Sequence, residues 1–599
     1  MELTPAFEPR DAAAAAEALR RASAISSHDN FKEGWRLFRV LMPIHSANNI
    51  AFMDLAANAF LLSTIGIHFN AGDTVIWAVT AQLIGAVVGQ ALLGYLSDLF
   101  GRRNMLVIAL GVLVAGSLVS GVSTYATSQA VFIFGRVLSG FGDGTMVNLI
   151  NVAQNDFMAP RLREQFQGLQ GIGVGLWSII GVLIGATLAM KDQRYPDSHT
   201  GWPMFYYIVA ILALLIGIWH YFELPGAPDE AGKEAIWARL KTIDRIGMGL
   251  LIAMVVFICV ASARDDTSGC SPRKIALIVL AVLSLLAFCC WGVYQRHELR
   301  GIRPIVPFRM FSRRNIWVIF AQSLCFGMAY YSFQVFMPIY WLIVEDKSLL
   351  ESATLMIPYY ATHSVTSSLS PILLKMSYKE RASSPASYRF IATIGFTFWT
   401  TSLILLGCIP EQVHVGVVEL LAILAGAGTG VIFQNSIHAL ATQVDTTDRA
   451  VTIGSRNLIL LTGGSVGTAL SSTIVTLVCA RALPDPLKHY ASQAISRVDT
   501  FGFAKADVLA LDVAQREGIK AVFIFCGALI GICLLLCPFV KSEDKAGLEA
   551  ARRKSSGASA ENYVDMVMAA TKTSEEVAVG GREKDRLEDA SHPEVVYGA

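Results

Sequence analysis

Charge is what this sequence has least of. Only 16% of its 599 residues are Asp, Glu, Lys or Arg, 54% are hydrophobic, and the mean hydropathy is +0.50. Soluble domains carry roughly a quarter charged residues, so the deficit makes a lipid bilayer the main solvent. The charges balance to +1, which leaves no basic footprint for nucleic acid. No Gly-x-x-x-x-Gly-Lys-Ser/Thr loop is present to cradle phosphates, so no nucleotide partner is expected. His-Glu-x-x-His and Cys-x-x-Cys are missing too, and no Cys/His group has ligand spacing, which argues against a metal site, a cofactor or an enzyme. The ten cysteines fall mostly within apolar runs (Cys259, Cys289, Cys290, Cys325, Cys479, Cys526, Cys533), where they read as small buried hydrophobes. There is no Asn-x-Ser/Thr sequon. The chain opens on a polar, alanine-rich stretch through Lys32 instead of a signal-peptide core, so its first span is expected to stay in place.

What the sequence does have is a series of apolar runs about 20 residues long, the length that spans a bilayer. They lie near 43–66, 74–97, 104–124, 129–152, 168–190, 203–223, 246–263, 274–294, 317–341, 353–374, 388–409, 415–441, 455–480 and 520–540. Fourteen spans put both termini on one side. Basic clusters at Arg102/Arg103, Arg161/Arg163, Lys233 to Arg245, Arg296 to Arg314 and Lys375 to Arg389 occupy alternate loops, and the opposing short loops near 67–73, 125–128 and 410–414 have none. Positive charge stays inside, so both termini are expected in the cytoplasm. Lys191, Arg194, Arg264, Arg273 and Lys347 fall on the other side, as do five basic residues in a long loop at 481–519; long loops weigh little in that rule.

An internal echo points to two similar halves. Asp156, Pro160, Arg161 and Arg163 precede a glycine-rich run from Gly171 to Gly185; Asp445, Asp448 and Arg449 precede Gly463, Gly464 and Gly467. Repeated halves around a central site are a common plan for secondary transporters. Between the second and third spans runs Gly94-Tyr-Leu-Ser-Asp98-Leu-Phe-Gly101-Arg102-Arg103. Gly94 permits close helix approach and Gly101 a sharp turn. Asp98 sits at a helix end, where its carboxylate needs a cationic or amide partner. This stretch resembles the loop between helices 2 and 3 of the major facilitator superfamily, Gly-x-x-x-Asp-(Arg/Lys)-x-Gly-Arg-Arg, with Leu99 in place of the cation.

Ile243-Asp244-Arg245-Ile246-Gly247 and Arg303-Pro304-Ile305-Val306-Pro307-Phe308-Arg309-Met310-Phe311 look like the joints of that superfamily's fourteen-helix drug:proton antiporter branch, of fungal type. The resemblance implies an all-α integral membrane protein arranged 6+2+6. It would comprise a cytoplasmic tail (1–40), a first six-helix half (41–224), a linker with an extra helix pair (225–300), a second half (301–540) and a disordered cytoplasmic tail (541–599).

Ionisable residues inside a span are functional candidates, because each costs a few kcal/mol to insert. Asp54 lies near the centre of the first span, where the family has Leu-Asp-x-Thr-Val-x-Asn and this chain has Met53-Asp54 with Ala56 and Ala57. Arg136, in Gly135-Arg136-Val-Leu-Ser139-Gly140-Phe-Gly142, resembles the span-4 arginine that the family uses in proton coupling. A permanent guanidinium at this depth needs an anion. Asp143 is on the same face but seven residues on, about 10 Å along the axis, so a water, a substrate or Asp54 would have to bridge. Separate structural ion pairs remain the alternative.

Span 5 carries Gly171, Gly173, Gly175, Gly181 and Gly185; they suit close packing, or a rocking seam centred on Gly181 and Gly185. The antiporter branch has Gly-Pro-x-x-Gly-Gly where this chain has Gly181-Val182-Leu-Ile-Gly185-Ala186. A substrate cavity is expected from Gln82, Asn148, Tyr330, Tyr331, Gln334, Gln434 and Asn435, with Gln90, Asn151, Gln322, His363, His438 and Arg456 in reserve. Aromatic rings beside amides suit a flat, partly polar organic ligand.

The leading expectation is a proton-coupled transporter that exports a small organic compound such as a drug, toxin or secondary metabolite by alternating access. Its partners would be that substrate, protons and the bilayer of the plasma membrane. An uptake symporter, for instance for siderophore-iron, is the alternative within transport. A transport-inactive membrane sensor is the alternative of another class.

Overall fold

A computed structural model describes residues 39, 41–70, 76–157, 160–194, 201–224, 243–262, 272–297, 304–380, 385–411, 413–441, 443–444, 446–493 and 504–540. The described chain is helical nearly throughout. Helices α1 (Leu41–His68), α2 (Trp77–Phe100), α3 (Arg102–Ala126), α4 (Gln129–Phe157), α5 (Pro160–Arg194) and α6 (Trp202–Glu223) come first. Next are α7 (Arg245–Ser262) and α8 (Pro272–His297). They are followed by α9 (Arg314–Ile339), a short α10 (Leu349–Leu355), α11 (Ile357–Glu380), α12 (Pro385–Gly407), α13 (Val415–Ala441), α14 (Thr446–Ala482) and α15 (Lys505–Leu536). With no water to solvate backbone amides in hydrocarbon, continuous helices are what apolar runs of this length must form.

Thirteen of the described helices are long and apolar enough to cross a membrane. The expected span at 353–374 is the exception, although α11 has the length. Its His363, Ser364, Ser367, Ser368 and Ser370 are buried against neighbouring helices, whereas Val365 and Leu369 point outward. Polar groups turned inward lower the hydropathy without exposing anything polar to lipid. The last span also differs from expectation. The stretch from 481 to 519, read as a loop, holds a 3-10 turn at Asp485–Gln493 and the first fifteen residues of α15. Charged Lys505, Asp507, Asp512, Arg516 and Glu517 hide an apolar face of Leu511, Ala514, Gly518 and Ile519 that is buried.

Helix contacts repeat. In the first set α2 packs on α4, α3 on α4 and α3 on α6; in the second α11 packs on α13, α12 on α13 and α12 on α15. The largest contacts between the sets are α5 against α11 and α2 against α14, so the second helix of each touches the fifth of the other. Two such contacts related by a pseudo-two-fold enclose a space between the sets. The α7/α8 pair lies outside this frame. Cys259 of α7 donates to the Ser465 carbonyl and Thr473 to that of Ser262, so α7 docks on α14 while α8 turns most of its residues outward. Asp244 fixes the start of the pair by accepting from the Gly247 amide and the Trp291 indole, both at 2.8 Å.

The α2/α4 contact is the tightest near the charged residues. A methyl group added to Gly140 or Gly144 of α4 would overlap the backbone of Gln82 or Ala86 in α2, and one added to Gly85 or Gly89 would overlap α4 in return. Gly144→Ala should therefore destabilise by about 1–3 kcal/mol through overpacking. Gly111→Ala, which meets nothing within 4 Å, should leave the melting temperature of the detergent-purified protein unchanged or slightly raised.

Candidate functional site

Asp54 of α1 and Arg136 of α4 are both completely buried and form an ion pair, Nη2 to Oδ2 at 2.8 Å and Nη1 to Oδ1 at 3.3 Å. Gln82 of α2 is the hub beside it. Its Nε2 donates to Asp54 Oδ2 and to Asp143 Oδ2, each at 2.8 Å. Its Oε1 accepts from Asn58 Nδ2 at 2.7 Å, and Asn58 Oδ1 accepts from the Tyr206 hydroxyl at 3.3 Å. The Tyr206 ring closes the circuit, with its centroid 5.0 Å from the Arg136 guanidinium carbon. Four helices thus meet through one polar ring. Asp54 and Asn58 are a single turn apart on α1, and Arg136 and Asp143 two turns apart on α4.

Asp54 is therefore the bridge between Arg136 and Asp143, and the amide of Gln82 completes it. One cation faces two carboxylates. The cluster carries net −1 when both are ionised and is neutral when it holds one proton. Asp54 is committed to Arg136, whereas Asp143 Oδ1 has no hydrogen-bond partner. Asp143 and Gln82 also line the central cavity, so Asp143 is the carboxyl of the cluster that borders an open space.

Between the helix sets lie two small adjoining cavity lobes, which share Phe52, Val147, Tyr331 and Leu461. The first contains Gln82 and Asp143; the second contains Asn48, Asn151, Gln170, Phe433, Arg456 and Asn457. Of the residues expected at the cavity wall, Gln82, Tyr331, Asn151 and Arg456 are there. Asn148 instead fills the space beside Gly94 and Gly454, between α2 and α14. Tyr330 stacks on Phe326 at 5.4 Å, and Gln334 accepts from the Tyr360 hydroxyl at 3.1 Å. Gln434 and Asn435 flank the wall: successive residues step 100° around α13, and Phe433 and Ile437, one turn apart, take the cavity face. Asn435 donates to the Val431 carbonyl at 2.7 Å. Gln322 serves α15, through the Cys533 carbonyl at 3.0 Å.

The loop residues take up turning and packing positions. Gly101 adopts φ 84°, which separates α2 from α3. Arg102 donates to the Ser97 hydroxyl, Arg103 lies 4.2 Å from the Tyr221 ring centroid, and Gly94 faces Asn148. The side chain of Asp98 lies outside the described residues. Gly181 and Gly185, expected at a seam between halves, pack on α1 against Met53 and Ala57, on either side of Asp54. The contact with the second helix set belongs to Gly168, Gly171 and Gly175. Ser368 donates to the Gly168 carbonyl at 2.7 Å and Ser364 to that of Gly171 at 3.1 Å. On the other crossing, Gln90 donates to the Gly454 carbonyl at 2.9 Å.

Sequence reasoning missed Asn58, Tyr206, Asn48, Gln170 and Asn457. Asn58 carried a signal, since it lies four residues after Asp54 on the same helical face. Replacing one member of a buried ion pair strands the other, so Asp54→Asn should cost about 3–5 kcal/mol. Asp143→Asn keeps an acceptor for Gln82 and strands no cation, so its thermal unfolding in detergent should stay much closer to wild type.

The profile of the Major Facilitator Superfamily matches residues 44–468. Among curated proteins, Citrate exporter 1 of Yarrowia lipolytica is 27% identical over 93% of this chain and 80% of its own length. The acurin A biosynthesis cluster MFS-type transporter of Aspergillus aculeatus is 24% identical over 85% and 90%, and multidrug resistance protein fnx1 of Schizosaccharomyces pombe 25% identical over 73% and 79%. Among solved structures, an autoinhibited POT family peptide transporter superposes with a TM-score of 0.54 at 17% identity, over 83% of this chain and 96% of that one. With its helical bundle, its paired helix sets and a match over most of its length, the chain belongs to the major facilitator superfamily and is a multi-pass membrane transporter, not an enzyme.

Proposed function

We propose that this protein is a proton-coupled exporter of small organic compounds, working by alternating access at the plasma membrane with both termini in the cytoplasm. The observation that carries this reading is the buried Arg136–Asp54–Gln82–Asp143 cluster, whose charge changes by one unit with one proton and whose Asp143 lies at the wall of the cavity between the helix sets. A proton bound there alters what the cavity holds well, which is how an ion gradient couples to substrate movement. Export is favoured by the relatives, whose names include a citrate exporter, efflux pumps and a multidrug resistance protein. The two crossings, α5 with α11 and α2 with α14, supply the surfaces on which one set rocks against the other.

Cells expressing the wild type should hold several-fold less of at least one fluorescent organic compound than cells expressing Asp143→Asn, and a protonophore should erase the difference. Higher accumulation in wild-type cells would reverse the direction to uptake. Accumulation indifferent to both the protonophore and the mutation would remove proton coupling.

A further inference from the structure

Arg456 of α14 is only 2% exposed, yet among the described residues no carboxylate pairs with it. Its Nη1 donates to Asn457 Oδ1 at 2.9 Å, and its Nη2 to Ser436 Oγ at 2.7 Å and the Phe433 carbonyl at 3.3 Å. Its Nε has no hydrogen-bond partner, and the guanidinium carbon lies 5.5 Å from the Phe433 ring centroid. All these partners are neutral. They occupy hydrogens but leave a full positive charge uncompensated in a low dielectric, where Arg136 by contrast has Asp54. A guanidinium cannot shed that charge as a lysine can.

Other groups in the same lobe point the same way. Asn48 of α1 is completely buried with both amide atoms unpartnered, and Asn457 Nδ2 is unpartnered as well. No Asp or Glu lines this lobe, and Phe52, Tyr331 and Phe433 supply its flat walls. A permanent cation with two carboxamides in an aromatic cavity is the chemistry that recognises a carboxylate.

We propose that the transported compound is a small organic anion whose carboxylate is held by Arg456 from one helix set and Asn48 from the other. The proposal rests on the transport reading for its site, the central cavity, and adds the charge of the substrate. Because α1 and α14 belong to opposite sets, such an anion would bind best when both sets close on it, which is the differential affinity a conformational cycle requires.

The test is thermal unfolding of the detergent-purified full chain with succinate, tricarballylate and benzoate, each compared with its methyl ester. The carboxylates should raise the melting temperature and the esters should not. Arg456→Gln should weaken the apparent affinity about tenfold or more. Its unliganded melting temperature should equal or exceed that of wild type, whereas a purely structural arginine would lower it. Arg456→Lys should retain part of the binding. Asn48→Ala gives an independent reading should Arg456→Gln not fold, and it too should weaken carboxylate binding. Esters stabilising as well as acids, acids stabilising Arg456→Gln as well as wild type, or no acid stabilising wild type at millimolar concentrations would each overturn the proposal. The assay uses no gradient and no direction, so export can fail while anion binding stands, and the reverse.

Discussion

A guanidinium sealed among helices must find an anion, and Arg136 finds Asp54. Much of the first helix set is arranged to make that meeting possible. Asp54 comes from α1, Arg136 from α4, the amide of Gln82 from α2 and the Tyr206 ring from α6, so one ion pair fixes the relative positions of four helices. The close approach comes from residues with no side chain to interfere: Gly140 and Gly144 against α2, and Gly181 and Gly185 against α1 around Asp54. Small-residue packing and the buried charge are therefore two aspects of one requirement, since a looser seam would lengthen hydrogen bonds that have no water to replace them.

The two buried arginines show how charge balance separates roles. Arg136 is neutralised from within by Asp54, which leaves Asp143 as the carboxyl of the cluster with an oxygen that has no hydrogen-bond partner. Arg456 has only neutral partners among the described residues. Tyr331 lines both lobes, so Asp143 in one lobe and Arg456 in the other border the same aromatic side chain. A change of charge on one side of Tyr331 is felt across a distance over which a low dielectric screens poorly.

Much of the fold was legible because hydropathy and length are one-dimensional properties. Span positions, the Gly101 turn and the inward placement of Asp54, Arg136 and Asp143 all follow from them. The failures share a cause: they depend on which way a helix faces. Helix α11 stands where a span was expected, but the pairing of its serines with the carbonyls of Gly168 and Gly171 shows only in the structure. The first turns of α15 were hidden by charges on their outer face. Gln434 and Asn435 look like cavity residues until the rotation of α13 gives that place to Phe433. The bridge between Arg136 and Asp143 was half visible: Asp54 was a candidate, but a glutamine donating to two carboxylates at once cannot be read from spacing.

The central claim is that one proton enters and leaves through Asp143 while Asp54 stays with Arg136. Its most direct test is proton flux into proteoliposomes carrying an internal pH dye, measured alongside exchange of a transported compound at equal pH. The account predicts that the wild type moves one proton in each transport cycle, and that Asp143→Asn moves none while still exchanging substrate. Proton movement that persists in Asp143→Asn, or exchange lost together with it, would contradict the account.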